Sequence, residues 1–183
     1  MRVDTATRRF YAEIWPQAPM VLRVAKILVK DSAEAEDLAQ ETLLKAFRFI
    51  DGLEAGSEVR KWLLAILRNT RTDRLRAAGR QVPQTGLEGL DEQLPDSRPP
   101  EAAESADPRE ILEAFSDQQM IDALGALPEE IRWTLLLVDV QGLDHAVAAA
   151  VLDVPVGTIK SRAHRGRAML RQVLQPSRRE SQV

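Results

Sequence analysis

The acidic and imidazole side chains of this 183-residue sequence are the first candidates for chemistry, and they do not form a catalytic pattern. The densest carboxylate cluster consists of Glu36, Asp37 and Glu41. A helical carboxylate metal site normally draws His or Glu partners from facing helices, and the sequence contains no Glu-x-x-His pair. It has only His145 and His164 and no cysteine, which excludes disulfides and thiolate metal sites. The sequence therefore predicts no catalytic residue, no metal site and no cofactor, and an enzyme built on these carboxylates is the least favoured alternative.

Basic side chains offer a different chemistry, which is contact with a polyanion. The formal net charge of -3 conceals a strong asymmetry along the chain. Residues 60–80 carry seven basic side chains and one acid, residues 154–179 carry seven and no acid, and residues 84–115 between them are rich in Asp and Glu. Local fields, rather than the net charge, steer a polyanion. The pattern therefore predicts two separate polyanion contacts, joined by an acidic segment that stays off the polyanion.

Helical periodicity places the first basic run in a helical N-terminal half. Apolar residues recur at three- and four-residue steps over residues 35–50, and Ser32 precedes them as a predicted N-cap. A second helix is predicted over residues 59–78, ended by Gly79. An earlier helix is predicted over residues 5–30, broken or bent near its two prolines. Strict apolar–polar alternation and hairpin turn signals are nearly absent, so the sequence predicts an all-α fold.

The second basic run belongs to a predicted helix-turn-helix. Helix resumes near Glu110, and Pro128 takes the first position of a further helix that Gly142 closes. A short helix over residues 144–152, a tight turn and a last helix to Leu174 complete the motif. The polar side chains expected on the outer face of the last helix are Lys160, Ser161, His164, Arg165 and Arg167. Such side chains reach base edges and phosphates, whereas a solvated basic face on an ordinary helical bundle is the alternative interpretation.

Three stretches of the sequence occur in an order that one protein family shares. They are AEDLAQETLLKAF at residues 35–47, VRKWLL at 59–64 with RN and DRLR after it, and LGALP at 124–128 leading to VPVGTIKSRAHRGR at 154–167. In this order they resemble the clamp-gripping, promoter-melting and promoter-binding segments of the extracytoplasmic-function (ECF) sigma factors. The helix over residues 145–150 departs from the family by being more apolar. The resemblance covers nearly the whole chain.

The resemblance implies a transcription initiation factor with two small helical domains joined by a flexible acidic linker. Residues 1–83 would form sigma region 2, which binds core RNA polymerase and recognises and melts the minus-10 element. Residues 116–175 would form sigma region 4, a helix-turn-helix domain that recognises the minus-35 element. Residues 84–115 would be the linker, and residues 176–183 a disordered tail. The expected function is to direct core polymerase to specific promoters, without enzymatic activity.

The resemblance also implies which side chains make these contacts. Core polymerase would be bound by Asp37, Gln40, Glu41 and Leu44, and an apolar Leu44 among charges on an outward face favours an interface anchor. The minus-10 element would be contacted by Gly56, Ser57, Arg60, Lys61, Arg68, Asn69 and Arg71. The minus-35 element would be contacted by Thr158, Lys160, Ser161, Arg162, Arg165 and Arg167.

Within these sets the residues themselves support finer predictions. On the last helix, Lys160, Ser161 and Arg165 share one outward stripe and are predicted to read bases. Two flanking arginines, Arg162 and Arg167, are predicted to hold phosphates. For Asp73, an ion pair with Arg74 or Arg76 along the same helix is the favoured interpretation.

The implied partners are core RNA polymerase, through its β′ clamp and β flap, promoter DNA and an inhibitory anti-sigma factor. The chain is expected to be a cytoplasmic monomer when free, since it shows no signal peptide and no run of ~18 apolar residues. The main alternative is a stand-alone helix-turn-helix regulator, which usually dimerises to match two half-sites. Nothing in the sequence resembles a dedicated dimerisation element, so the sequence favours the sigma factor.

Overall fold

The computed structural model describes residues 2–54, 56–79 and 117–174, and nearly all of these are helical. In the N-terminal half, α1 spans Arg2–Arg9, α2 Ala18–Leu28, α3 Ser32–Phe49 and α4 Val59–Ala77. In the C-terminal half, α5 spans Asp117–Gly125, α6 Glu129–Leu135, α7 His145–Leu152 and α8 Val156–Leu174. The predicted all-α fold with two helical domains is confirmed. The predicted linker over residues 84–115, the tail over 176–183 and the helix start near Glu110 lie outside the described residues.

The first helical segment changes its pitch where the sequence places two prolines. After α1 the chain continues through a π-helical turn at Phe10–Ile14 and a 3-10 turn at Trp15–Gln17 into α2. Pro16 lies in the 3-10 turn and Pro19 in the first turn of α2. Because proline has no amide donor, it is tolerated in a first turn and disrupts a helix interior. The interruption of the helix predicted near these prolines is confirmed.

The caps of α3 and α4 illustrate one wrong and one correct prediction. Asp31, and not Ser32, caps α3, because its Oδ1 accepts the backbone N–H of Glu34 at 2.8 Å. A carboxylate at this position also interacts favourably with the positive end of the helix dipole. α4 ends as predicted at Gly79, whose φ of 65° is a left-handed conformation that glycine adopts without steric cost.

The predicted helix-turn-helix is formed by α7 and α8. Asp144 caps α7 by accepting the backbone N–H groups of Ala146 at 2.9 Å and Val147 at 3.0 Å. Residues 153–155 connect the two helices, and Asp153 adopts a left-handed φ of 55°, which short polar residues tolerate. Upstream, Pro128 is the N-cap of α6 and not its first helical residue, so that prediction is wrong by one position.

Packing joins the helices within each half and the two halves to each other. α3 packs against α2 and α4, and α8 packs against α6 and α7. Gly166 lets α8 approach α6 closely, because a Cβ at this position would lie 2.6 Å from Ile131 Cγ2 and 3.0 Å from Leu135 Cδ1. Between the halves, α4 packs against α7, and α2 packs against α5 and α6. One apolar core therefore runs through both halves.

Arg132 ties the turn between α5 and α6 to the N-terminal half. Its guanidinium donates to the carbonyl oxygens of Leu124, Gly125 and Leu127 at 3.0, 2.7 and 2.8 Å, and to that of Leu28 at 3.2 Å. These contacts satisfy carbonyls at helix ends, which lack partners within the helix. Burial lowers the pKa of the Arg132 guanidinium, and nearby Glu129 partly offsets this effect.

Candidate functional surfaces

The outer face of α3 presents an exposed leucine among polar side chains. Leu44 is 54 % exposed, on a helix whose other face is buried. Asp37, two turns before it, and Gln40, one turn before it, are exposed as well. The structure therefore brings three of the predicted polymerase-binding residues together on one accessible face.

Glu41 belongs to the same helix but is drawn toward α4. Its Oε2 accepts a hydrogen bond from Arg74 Nε at 2.7 Å, and its Oε1 lies 3.2 Å from Lys45 Nζ. Burial raises the pKa of the Glu41 carboxyl, but the hydrogen bonds from Arg74 and Lys45 outweigh it and hold the pKa below its ordinary value. Glu41 therefore couples α3 to α4.

An apolar groove lies beside Leu44, between α3 and the turns that precede α2. Its volume is ≈ 860 Å³, and its lining includes Trp15, Pro19, Leu22, Leu43, Leu44 and Phe47. Trp15 is 53 % exposed, and the ring of Phe10 packs edge-on against Phe47 at a centroid distance of 5.3 Å. The sequence analysis did not identify Trp15 or Phe47 as interface residues. Trp15 lies between Ile14 and Pro16 in the sequence, and its exposure depends on the π-helical and 3-10 turns that the chain forms there.

Three of the four cationic residues predicted to contact the minus-10 element bond to the protein itself. Arg60 Nη2 donates to Gln141 Oε1 at 2.9 Å, and Arg68 Nη2 donates to the carbonyl oxygen of Leu152 at 2.9 Å. Arg71, with a side chain only 11 % exposed, lies 3.4 Å from Glu34 and 3.6 Å from Glu129. The partners Gln141, Leu152 and Glu129 all belong to the C-terminal half.

The other residues predicted to contact the minus-10 element lie near these arginines. Asn69 is exposed on α4, directly after Arg68, and Lys61 is half-buried near the start of the helix. Gly56, with φ of 84°, and Ser57 are exposed in the loop before α4. The structure thus places the loop with Gly56 and Ser57, the exposed Asn69 side chain and the arginines of α4 in the same half of the molecule.

The predicted pairing of Asp73 along its own helix is wrong. Asp73 Oδ2 lies 3.5 Å from Lys45 Nζ, on the neighbouring α3, and Arg74 is hydrogen-bonded to Glu41 on that same helix. The charges on this side of α4 therefore pair across the α3–α4 contact. A spacing rule for a single helix does not predict these partners, because they lie on a different helix.

α8 displays part of its predicted DNA-reading face and buries the opposite side. Ile159, Ala163, Gly166 and Leu170 are buried at four-, three- and four-residue steps. Lys160 and Ser161 are exposed, whereas Thr158 and Arg165 are half-buried. Ser161 Oγ donates to the carbonyl oxygen of Thr158 at 3.0 Å. The exposed side chains are of the types that reach base edges from a recognition helix.

The two arginines predicted to hold phosphates differ in their surroundings. Arg167 makes a bidentate ion pair with Asp139, with Nε–Oδ2 and Nη2–Oδ1 distances of 3.0 and 2.7 Å. The Asp139 side chain is only 8 % exposed, and its hydrogen bonds raise the pKa of Arg167 despite partial burial. Arg162 is half-buried, and burial lowers its pKa, with Glu130 opposing the effect. Arg167 is therefore engaged within the chain.

Residues 2–54, 56–79 and 117–174 contain no group of three or more carboxylate and imidazole side chains placed to hold a metal ion. Within the same ranges, no helix combines the length and the apolar character that crossing a bilayer requires.

Two family models match the chain, one on each helical half. Residues 17–81 match the model of sigma-70 region 2, and residues 117–170 match the model of sigma-70 region 4. The first match covers α2, α3 and α4, which carry most of the groove and the first basic run. The second covers α5 to α7 and most of α8. The order of the matches is the order in which the sequence analysis placed the two segments.

Curated relatives and solved structures agree with these matches. The chain is 34% identical over 157 residues to the RNA polymerase sigma-H factor of Pseudomonas aeruginosa, covering 84% of this chain and 79% of that protein. It is 30% identical over 146 residues to the ECF RNA polymerase sigma-E factor of Escherichia coli K12, covering 79% and 76%. The sigma factor RpoE of Bartonella quintana, solved in complex with the anti-sigma factor NepR, is similar with a TM-score of 0.68 and 30% identity, covering 93% and 99%. CnrH, solved with the cytosolic domain of CnrY, shares the fold at a TM-score of 0.61 and 21% identity, covering 92% and 88%.

Proposed function

The chain belongs to the extracytoplasmic-function group of the sigma-70 family, and we propose how its surfaces divide the work of promoter recognition. It is a transcription initiation factor that binds core RNA polymerase and directs it to promoters. The family is a class of transcription factors and not of enzymes. The proposal assigns no covalent chemistry, metal or cofactor to this chain.

The outer face of α3 is the proposed docking site for core polymerase. Exposed Leu44, flanked by Asp37 and Gln40, has the composition of an interface anchor surrounded by polar contacts. The adjoining groove offers apolar surface next to that anchor. Glu41 contributes mainly by holding α3 against α4, since its carboxylate is already bonded to Arg74. The proposed partner on this face is the β′ clamp.

The N-terminal half, residues 1–83, is proposed to recognise and melt the minus-10 element. Asn69 and the loop with Gly56 and Ser57 would hold an unstacked base, which offsets the cost of a few kcal/mol for taking it out of the duplex. The cationic residues Arg60, Lys61, Arg68 and Arg71 would contact the phosphates that flank this base. Asn69 is exposed on a basic helix, and this observation supports its assignment.

The C-terminal half, residues 116–175, is proposed to recognise the minus-35 element through α8. Lys160, Ser161 and Arg165 would read bases in the major groove, with Thr158 near the start of the helix. Arg162 would hold a phosphate. Arg167 is better explained as a structural residue, because both of its hydrogen-bonding edges are directed at Asp139.

The proposed partners follow from the family and the solved relatives. They are core RNA polymerase, bound through its β′ clamp and β flap, promoter DNA and an anti-sigma factor. The similarity to a sigma factor solved with its anti-sigma factor supports the last of these. The proposed working form is a cytoplasmic monomer until it joins polymerase. A stand-alone helix-turn-helix regulator is not favoured, because the region 2 match and the α3 face would then have no use.

The observation that carries this proposal is the exposed α3 face within a region 2 match, in the same chain as a region 4 helix-turn-helix. The test is run-off transcription by core polymerase on a promoter library, with and without the purified full-length chain. We expect sequence-specific transcripts only when the chain is present. Absence of such transcripts, together with tight dimeric binding of DNA without polymerase, would support the stand-alone regulator instead.

A second measurement tests the proposed role of Asn69. We expect Asn69→Ala to reduce permanganate reactivity of melted thymines several-fold while the polymerase still associates with the promoter. The exposed position of Asn69 means that the substitution should leave the fold intact. Unchanged melting would remove Asn69 from the proposed base-binding site.

A further inference from the structure

The connection between α3 and α4 is held by a side chain from the start of the chain. Arg9, the last residue of α1, donates from Nη1 to the carbonyl oxygen of Ile50 at 3.1 Å. Its Nη2 donates to the carbonyl oxygen of Leu53 at 3.0 Å. Partners 41 and 44 residues away are thus joined by one guanidinium, which fixes the path of the chain as it leaves α3.

The two carbonyls lie where a helix end needs donors. Ile50 is the C-cap of α3 and begins the 3-10 turn that runs to Gly52. Carbonyls at a helix end have no amide partner within the helix, and this end carries a partial negative charge. The side chains of Ile50 and Leu53 are buried. Apolar burial and the Arg9 guanidinium together therefore fix the turn.

Glu13 orients the guanidinium toward this turn. Its Oε1 accepts Arg9 Nε at 3.1 Å, and its Oε2 accepts Arg9 Nη2 at 3.3 Å. Such a two-point pair with a carboxylate restricts the plane of the guanidinium. All three nitrogens of the Arg9 guanidinium thus donate within the chain. Arg9 is therefore placed to act on the connection rather than on a DNA phosphate.

The same connection carries two residues of the proposed minus-10 site. Directly after Leu53, the carbonyl oxygen of Glu54 accepts the backbone N–H of Ser57 at 3.1 Å. Gly56 and Ser57 are exposed, and Gly56 has a φ of 84°. Because this turn is short and follows the Arg9 contact immediately, the position of the Leu53 carbonyl determines where Ser57 is presented.

We propose that Arg9 is a positioning residue for the minus-10 site. It holds the connection between α3 and α4 so that Gly56 and Ser57 are already in place when an unstacked base arrives, and Glu13 orients it. A loop that is ordered in advance does not have to be ordered at the moment of binding. The inference rests on the proposed function of this loop. The region 2 match begins at residue 17 and assigns no role to Arg9.

The test uses the full-length chain in complex with core polymerase, on a promoter that run-off transcription identifies. Arg9→Ala removes both donors to the turn, whereas Arg9→Lys keeps the positive charge and a donor. Arg8→Ala is the matched control. It removes an arginine from the preceding position of α1, which points about 100° away around the helix.

We expect Arg9→Ala to reduce the permanganate reactivity of melted thymines about five- to tenfold, because hydrogen bonds from a charged group are lost. Association with the duplex promoter before melting, measured by filter binding in the cold, should change by less than about twofold, since other phosphate contacts position the complex. Arg9→Lys should recover about half of the reactivity or more. Arg8→Ala should behave like wild type. Equal losses in association and in melting for Arg9→Ala would indicate a general structural role and overturn the inference.

The salt dependence of promoter binding distinguishes positioning from contact with DNA. Arg9→Ala should leave the salt slope unchanged, and a decrease of about one unit would identify a phosphate contact and overturn the inference. If circular dichroism shows that Arg9→Ala does not fold, Glu13→Gln decides, because it keeps Arg9 and removes the carboxylate that orients it. Reduced melting in Glu13→Gln supports the positioning role, and unchanged melting overturns it.

The same experiment separates this inference from the proposed function. If wild type melts the promoter and folded Arg9→Ala melts it equally well, only the positioning role of Arg9 fails. If core polymerase with the wild-type chain melts no promoter, the proposed function fails.

Discussion

α4 and α8 contain most of the two basic runs of this sigma factor, and the structure uses their charges differently. The runs to which they belong, residues 60–80 and 154–179, have seven basic side chains each. On α4, Arg60 and Arg68 are hydrogen-bonded to the C-terminal half, whereas Arg71 is hydrogen-bonded to Glu34 of α3 and lies 3.6 Å from Glu129. On α8, Lys160 stays exposed while Arg167 is held by Asp139. Charge along a sequence therefore measures the capacity to bind a polyanion, whereas the acceptors that the fold brings nearby decide which charges are available.

The two helices also differ in the interactions that hold them against their neighbouring helices. α8 is held by a close apolar contact at Gly166, next to Ile131 and Leu135 of α6. α4 is joined to α3 by ion pairs as well as by its apolar stripe, with Arg74 bonded to Glu41. Packing contacts tolerate added volume poorly, and exposed ion pairs contribute little each. Substitutions in the contact between α8 and α6 should therefore change the free energy of unfolding more than substitutions in the contact between α4 and α3.

The largest effect on stability is expected where α8 packs against α6, at Gly166. Gly166→Val places side-chain atoms where Ile131 Cγ2 would be 2.6 Å from the new Cβ. Overpacking of this kind should lower the free energy of unfolding by about 2–3 kcal/mol, measured by urea denaturation. Gly157→Val on the same helix is the control, since no neighbouring atom lies within 4 Å of a Cβ there. Its effect should stay within about 0.5 kcal/mol. Equal stability of the two variants would show that close packing at Gly166 does not hold α8 against α6.

The next prediction distinguishes two cations of α8: Lys160, which is exposed, and Arg167, which is paired with Asp139. Lys160→Ala should cost ~1–3 kcal/mol of discrimination at one base position of the minus-35 duplex, because Lys160 is exposed on the face of α8 that is proposed to read bases. Arg167→Ala should leave the sequence preference and the salt slope nearly unchanged, and should lower stability by about 1–3 kcal/mol by leaving Asp139 without its partner.

The measurement is binding of the full-length protein to randomised minus-35 duplexes at several salt concentrations. A loss of about one unit in the salt slope for Arg167→Ala would identify Arg167 as a phosphate contact and contradict the structural assignment. A uniform loss of affinity for Lys160→Ala, with the preference unchanged, would place Lys160 on the phosphates and rotate the reading face.

The smallest effect is expected where α3 meets α4. The pKa of Glu41 is held below its ordinary value of 4.5 in the folded protein, so its interactions stabilise the fold above that pH. This contribution is lost as the pH falls below about 4.5 and through the lower folded pKa. Because the side chain is partly exposed, the total should be under about 1 kcal/mol. Glu41→Gln should therefore reduce stability at pH 7 and converge with wild type at low pH; a constant difference across this range would remove the ionised carboxylate as the cause.

The sequence was sufficient for features that depend on local spacing. The helix-turn-helix, the interruption of the first helix near Pro16 and the end of α4 at Gly79 were predicted because each follows from periodicity or from the conformational limits of one residue. Exposure of Leu44 was predicted for the same reason, since its position lies off the apolar stripe of α3. The sequence order of the three segments also predicted the two-domain organisation.

Features that depend on distant acceptors could not be predicted. Arg167 meets Asp139 at a separation of 28 residues, and Arg68 meets a backbone carbonyl 84 residues away. Every residue has a carbonyl, so no side-chain pattern marks which one an arginine will reach. The close contact at Gly166 was not predicted either, because the facing side chains of Ile131 and Leu135 belong to another helix. The groove at Trp15 required the fold of the turns before α2.

The central claim is that this chain joins core RNA polymerase through the outer face of α3, and its most direct test is the affinity of core polymerase for that face. A fluorescently labelled full-length chain is titrated with core polymerase as wild type and as the Asp37→Ala, Gln40→Ala double variant. Both positions are exposed, so the thermal stability should not change. We predict that the double variant binds at least about tenfold more weakly, as expected when contacts around an interface anchor are lost. Wild-type affinity in the stable double variant would contradict the assignment of this face to the polymerase.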